Sequence, residues 1–208
     1  MEMERCGEMS ESLPKIYLAG HGETEWSVTG RHTGLTDLPL TTVGERNAQS
    51  LGRRLQGLSF VKVLTSPLQR ARRTCELAGF GPRAEIEPDV VEWNYGDYEG
   101  RRTVDIRQER PGWSLFGNGC PHGESVQDVA IRADRVIARL RAVTGDVIVF
   151  SHRHFLSVLG ARWVGFPAVE GHALFLGTAS LSIVSYQPTL DEPVIWLWND
   201  DQHVRSKP

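Results

Sequence analysis

Three short apolar runs, Ile16 to Ala19, Phe60 to Leu64 and the near-continuous Asp146 to Phe150, each break off abruptly into polar residues. This repeated break constrains the fold more than any other feature. Runs so short, apolar on both faces, suit strands buried inside a parallel sheet. The stretches between them carry helical spacing instead. Ala48, Leu51, Leu55 and Leu58 form one stripe; Val126, Val129, Ala133, Val136, Leu140 and others form a longer one. Strands alternating with helices predict an α/β fold, a three-layer α/β/α sandwich with a mostly parallel sheet and room for one antiparallel strand.

Local signals set the expected boundaries. Thr41 or Thr42 caps the first long helix, with Glu45 completing a capping box. Pro67 suits the first position of the next, which runs to Leu77. Ile86 to Val91 is expected as an edge strand, 112–125 as a mobile flap, and Ser180 to Tyr186 with Val194 to Trp198 as a closing pair of strands. Residues 1–14 then form a polar N-terminal tail, 15–198 a single domain and 199–208 a C-terminal tail.

With 208 residues the chain is long enough for one sizeable core. A net charge of −3 leaves no basic footprint for nucleic acid, and no apolar run is long enough to span a bilayer. The first residues lack the apolar core of a secretory signal. Cys6, Cys75 and Cys120 are odd in number and form no CxxC pair, which indicates neither a disulfide framework nor a zinc site. A reducing cytoplasm is the expected location. A homodimer is compatible with the sequence but not indicated by it.

The chemistry concentrates where the runs end. Gly20-His21-Gly22 follows the first run, His152 follows the third, and Arg70 stands near the head of the helix after the second. If these strands are parallel neighbours, the three side chains meet at the carboxyl edge of the sheet, where open α/β folds bind ligands. An imidazole can attack phosphorus, and a second imidazole with arginines can hold the phosphoryl oxygens. A carboxylic acid in the aromatic loop Glu92 to Gly100 can protonate a leaving oxygen. Simpler roles stay open: a histidine at a strand end can cap a carbonyl, and Trp26, Trp93 and Trp113 can line a sugar-binding cleft or pack beneath loops. His32 can meet substrate or backbone. His152 and His154 have metal-pair spacing, but no further ligand pattern supports a metal.

An ordered set of motifs now becomes specific. His21-Gly22-Glu23-Thr24-Glu25-Trp26, Thr33-Gly34-Leu35-Thr36-Asp37, Thr65-Ser66-Pro67-Leu68-Gln69-Arg70, Glu92-Trp93-Asn94-Tyr95-Gly96, Gly123-Glu124-Ser125 and Ser151-His152 follow one another along residues 15–198. Together they resemble the histidine phosphatase superfamily, the phosphoglycerate mutase-like family. The stretch Glu92 to Gly100 and the Trp113 to Glu124 region are similar to the sugar-phosphate and broad acid phosphatase members. The longer insertions of true mutases are absent, so hydrolysis is expected.

The resemblance implies that His21 accepts the phosphoryl group, Arg70 and His152 form the phosphate pocket, and Glu92 donates the proton. It places Thr33 and Gly34 in the substrate loop, and Trp26 is a further candidate contact. It implies a small phosphorylated substrate, most readily a sugar phosphate, with no metal or organic cofactor. Two positions depart from the family pattern. Arginine usually precedes the nucleophilic histidine, where this chain has Gly20, and a small residue usually follows the second histidine, where it has Arg153. Three readings follow: Arg153 restores the missing guanidinium, the site is retuned to group transfer or elimination, or the domain binds phospho-ligands without turnover.

Overall fold

The computed structural model describes residues 13–205, so the expected tail 1–14 lies almost wholly outside the described residues. Six strands form one sheet: β1 (Ile16–Gly20), β2 (Lys62–Thr65), β3 (Ala84–Ile86), β4 (Val147–Ser151), β5 (Leu181–Tyr186) and β6 (Pro193–Asp200), in the spatial order β3-β2-β4-β1-β5-β6. β1 and β2 both pair parallel with β4, and β3 pairs parallel with β2. β5 runs antiparallel to β1 and β6 antiparallel to β5, so β5 alone opposes the others. The helices are α1 (Glu25–Thr29), α2 (Thr42–Arg54), α3 (Gln69–Leu77), α4 (Thr103–Glu109), α5 (Leu115–Asn118), α6 (Val126–Arg141), α7 (Arg153–Trp163) and α8 (Gln202–Arg205).

The two-residue period of the strands divides the core. Leu18 and Val149 face α6 and α7, packing with Val136, Leu140, Phe155 and Leu159. Tyr17, Ala19, Ile148 and Phe150 point the other way, onto Leu51, Leu55 and Cys75 of α2 and α3. Every residue of β1 and β4 is buried, which is why their sequences are apolar without alternation. The layers are thus the expected α/β/α sandwich. Among the described residues no helix is long and apolar enough to cross a membrane.

Several boundaries differ from expectation, each for a physical reason. The 86–91 stretch is not a strand: β3 ends at Ile86, and Pro88 opens a single 3₁₀ turn, since proline has no N–H to give a ladder. Pro67 does not open α3. Leu68 is its extended N-cap, and the Asp37 carboxylate accepts the Gln69 N–H at 2.7 Å, so the cap comes from the distant loop before α2. The 112–125 stretch is packed. It contains α5, buries Trp113 and Phe116, and the Trp113 indole donates to the Gly119 carbonyl at 3.0 Å. β6 continues to Asp200, and α8 follows and packs on α2, so 199–205 is structured.

Candidate active site

The parallel register aligns the ends of β1 and β4. Gly20 pairs with Ser151, Thr65 at the end of β2 pairs with Phe150, and the chain leaves all three strands at one edge. There His21 and His152 lie side by side, their ring centroids 5.2 Å apart. The His21 backbone is held on both sides, its N–H donating to Ser151 O at 3.0 Å and its carbonyl accepting from Ala179 N at 2.8 Å. The turn after it crosses the first turn of α2 so closely that a Cβ on Gly22 would come within 2.5 Å of the Gly44 carbonyl oxygen. Thr41 caps α2 through the Gly44 N–H and donates its hydroxyl to Glu23 at 2.7 Å, which locks this crossing.

The tautomer of His21 follows from its partner. Nδ1 lies 2.7 Å from the Gly22 carbonyl, which can only accept, so Nδ1 carries the proton and Nε2 keeps its lone pair. Burial, reinforced by the Arg70 charge, pushes the His21 pKa down to about 3. The ring is neutral at ordinary pH, the state a nucleophile requires.

Arg70 is fully buried and forms no ion pair among the described residues. Its guanidinium donates to three carbonyls of the loop before α2: Thr36 at 3.0 Å, Thr33 at 3.1 Å and Gly34 at 2.7 Å. The Nε hydrogen has no partner there, and neither does Nδ1 of the equally buried His152, whose Nε2 is 2.8 Å from the Ser66 hydroxyl. Burial pushes the His152 pKa well down, with the Arg70 and His21 charges adding to it. A buried guanidinium without a counter-ion and two unsatisfied buried nitrogens are costly unless an anion completes them.

Glu92 is buried where the N-terminus of α7 meets the loop after the 3₁₀ turn. It accepts backbone N–H bonds from Trp93 at 2.8 Å, Phe155 at 3.0 Å and His154 at 3.2 Å. Burial raises its pKa, while those N–H groups and the Arg70 charge pull the other way without cancelling the rise. Beside it, Nδ1 of His154 is 2.6 Å from the Tyr95 hydroxyl. Burial raises the Tyr95 pKa well above the usual phenol value and lowers that of His154 to about 3, so both groups are neutral. One hydrogen bond joins the phenol and Nδ1 and fixes the His154 ring beside Glu92. The His32 ring stacks on Tyr95 at 4.7 Å, and burial lowers its pKa to about 4.

An open cleft of about 400 Å³ joins these groups; Gly20, His21, Thr33, Glu92, Arg153 and His154 are among its lining residues. Of the residues expected from sequence, His21, Glu92 and His152 come together with Arg70 behind them, and Thr33 reaches the cleft. Arg70 and His152, fully buried, lie outside the lining, as do Gly34 and Trp26. A Cβ on Gly34 would meet Glu99, Trp93 and Tyr95 at 2.6 to 2.9 Å, so that glycine serves close packing. The Trp26 ring lies against Gly100, and Trp93 and Trp113 are core residues. Arg153 lines the cleft with its guanidinium stacked on Phe175, 4.3 Å from the ring centre. The charge lowering the His21 pKa is that of Arg70, whereas Arg153 acts on His32 and His154.

Sequence reasoning missed the supports. Thr74 receives the Gly22 N–H at 2.9 Å and donates to the Arg70 carbonyl at 2.7 Å, tying nucleophile turn to arginine helix. Glu99 takes the Gly34 and Thr36 N–H groups at 2.8 and 3.2 Å, holding the loop from the side opposite Arg70. Tyr95 and Glu99 stood in the quoted aromatic stretch, but only its density in carboxylates and rings marked them.

Comparison with known proteins bears on the family and the fold. The chain is 39% identical over 177 residues to an acid phosphatase of Mycobacterium tuberculosis, covering 83% of this chain and 87% of that one. It is 36% identical over 191 residues to sedoheptulose 1,7-bisphosphatase of Saccharomyces cerevisiae, covering 76% and 70% respectively. The solved structure of the product of open reading frame Rv3214 of M. tuberculosis superposes with a TM-score of 0.85 at 36% identity, over 91% of this chain and 99% of that one. The family model described as histidine phosphatase superfamily (branch 1) matches residues 16–201, from the first residue of β1 to just past β6, and the chain belongs to that superfamily.

Proposed function

We propose that the protein is a histidine-type phosphatase that hydrolyses a small sugar phosphate through a phosphohistidine on His21. The observation that carries this reading is the cluster of a neutral, half-buried His21 with its lone pair on Nε2, a buried Arg70 without an ion-pair partner among the described residues and a buried His152 with an unpartnered Nδ1. Such a pocket is incomplete without an anion. Names of the relatives, an acid phosphatase and a sugar bisphosphatase, support the same reaction class. In the first step Nε2 of His21 attacks phosphorus and the bond to the leaving oxygen breaks. Glu92, protonated, gives that oxygen its proton. Arg70 and His152 hold the charge of the phosphoryl oxygens in flight. In the second step water attacks the phosphohistidine, Glu92 takes a proton from it, and inorganic phosphate leaves. His154, fixed by Tyr95, lines the cleft beside Glu92, where its ring meets the substrate. Free Cys75 and Cys120 accord with a reducing compartment.

The test is release of inorganic phosphate from a panel of sugar monophosphates, followed against pH. His21 is neutral above about 3, so it sets no limit at ordinary pH. Glu92 must be protonated, and its pKa is raised. Activity is therefore greatest at acid pH and falls as pH rises through that pKa. Glu92→Gln removes this fall and lowers kcat on a sugar phosphate by roughly 10²–10⁴-fold. On p-nitrophenyl phosphate, whose leaving group needs no proton, the loss is much smaller. An equal loss on both substrates would show that Glu92 is not the acid.

A further inference from the structure

Several arginines among the described residues are held in ion pairs. Arg132 is paired with Glu124, Arg135 and Arg139 with Asp89, and Arg162 with Asp134. Arg31 and Arg153 have no ion-pair partner among the described residues, and both line the cleft that His21 opens into. The carboxylate that shares this lining, Glu92, is buried, has a raised pKa and is committed to three backbone N–H groups. The histidines of the lining, His21, His32 and His154, are neutral at ordinary pH, their pKa values lowered to about 3, 4 and 3. The cleft therefore offers two guanidinium groups that no carboxylate of its wall pairs with.

Arg153 is also placed. It is the first residue of α7, directly after His152, so one helix start sets a buried imidazole against His21 and an exposed guanidinium in the open cleft. Its guanidinium carbon lies over the ring of Phe175, whose carbonyl accepts the Trp198 indole N–H at 2.9 Å. The Arg153 guanidinium donates no hydrogen bond among the described residues, which leaves its N–H groups for a bidentate bond to a carboxylate or phosphate. Its charge bears on His32 and on His154, the latter beside Glu92, while Arg70 acts on His21.

We infer that Arg153 and Arg31 form a second anion subsite, and that the substrate carries, besides the phosphate transferred to His21, a second anionic group on its leaving portion: a sugar bisphosphate or a phosphorylated sugar acid. This rests on the reading of the cleft as a phosphomonoester site. On this assignment Arg153 selects substrate by its far end and does not replace a guanidinium on the transferring phosphoryl group.

The test separates binding from turnover. In the His21→Ala protein, calorimetry compares fructose 1,6-bisphosphate with fructose 6-phosphate. The bisphosphate should bind about tenfold or more tightly. Arg153→Met in that background should collapse the ratio toward one, Arg31→Met should reduce it, and Arg153→Lys should retain part of it. Equal affinity in the parent overturns the inference, as does a preference that survives both methionine variants. So does an Arg153→Met variant that weakens both ligands equally, because the guanidinium then belongs to the transferring phosphate. Phosphate release by the unmodified protein is measured on the same two sugars. A preference in binding without any release would sink the phosphatase reading and leave the subsite standing. Release from both without a preference would do the reverse.

Discussion

Replacing His21 with alanine is expected to lower kcat for sugar phosphate hydrolysis by about 10⁴-fold or more, because the variant loses the proposed phosphoryl carrier. The fold should tolerate the change. His21 is fixed mainly through its backbone, by Ser151 O and Ala179 N, and its side chain contributes one bond to its neighbour's carbonyl. Arg70 and His152 remain, so phosphorylated ligands still bind and the thermal midpoint stays near that of the parent. Steady-state phosphate release and a melting curve check both halves. A variant that keeps a tenth of the activity would place the nucleophile elsewhere.

Gly20→Arg is expected to raise kcat by roughly 10²–10³-fold, the usual worth of one preorganised charge donor beside a developing oxyanion. The space is there. Gly20 lines the cleft, and a Cβ on it would find the Gly177 carbonyl oxygen at 3.2 Å and Ser180 atoms at 3.8 Å, which asks the Gly177 loop to yield by a few tenths of an ångström. The present site has one guanidinium acting on His21, that of Arg70, since Arg153 stacks on Phe175. No gain would mean that Arg153 leaves Phe175 in the bound state and already supplies the charge. A gain together with retained bisphosphate preference would assign the two arginines separate tasks.

Much of this was legible in the sequence because it rests on short-range pattern. Runs such as Ile16 to Ala19 and Val147 to Phe150 can only be satisfied in the middle of a sheet covered on both faces, and they are. Their polar ends then had to share an edge, which brought His21, Arg70 and His152 together. What escaped depends on contacts between distant segments. Pro67 looked like a helix start, but Asp37 decides where α3 begins. The glycines of 112–125 suggested a flap, but Trp113 and Phe116 find core partners that no local pattern specifies. Gly34 resembled a substrate contact and proves to be where Glu99 and Tyr95 crowd the backbone. Above all, the direction of the Arg153 side chain was decided by Phe175, 22 residues later in the chain, whose ring could not be located from spacing.

The central claim is that His21 carries the phosphoryl group. Its most direct test is a rapid alkaline quench of the protein turning over a sugar phosphate, followed by mass spectrometry of the peptide that contains His21. The account predicts the added mass of one phosphoryl group on that peptide, stable in base and lost in acid, and absent from the His21→Ala protein. Steady turnover with no such species at any quench time, or with the label on another residue, would contradict it.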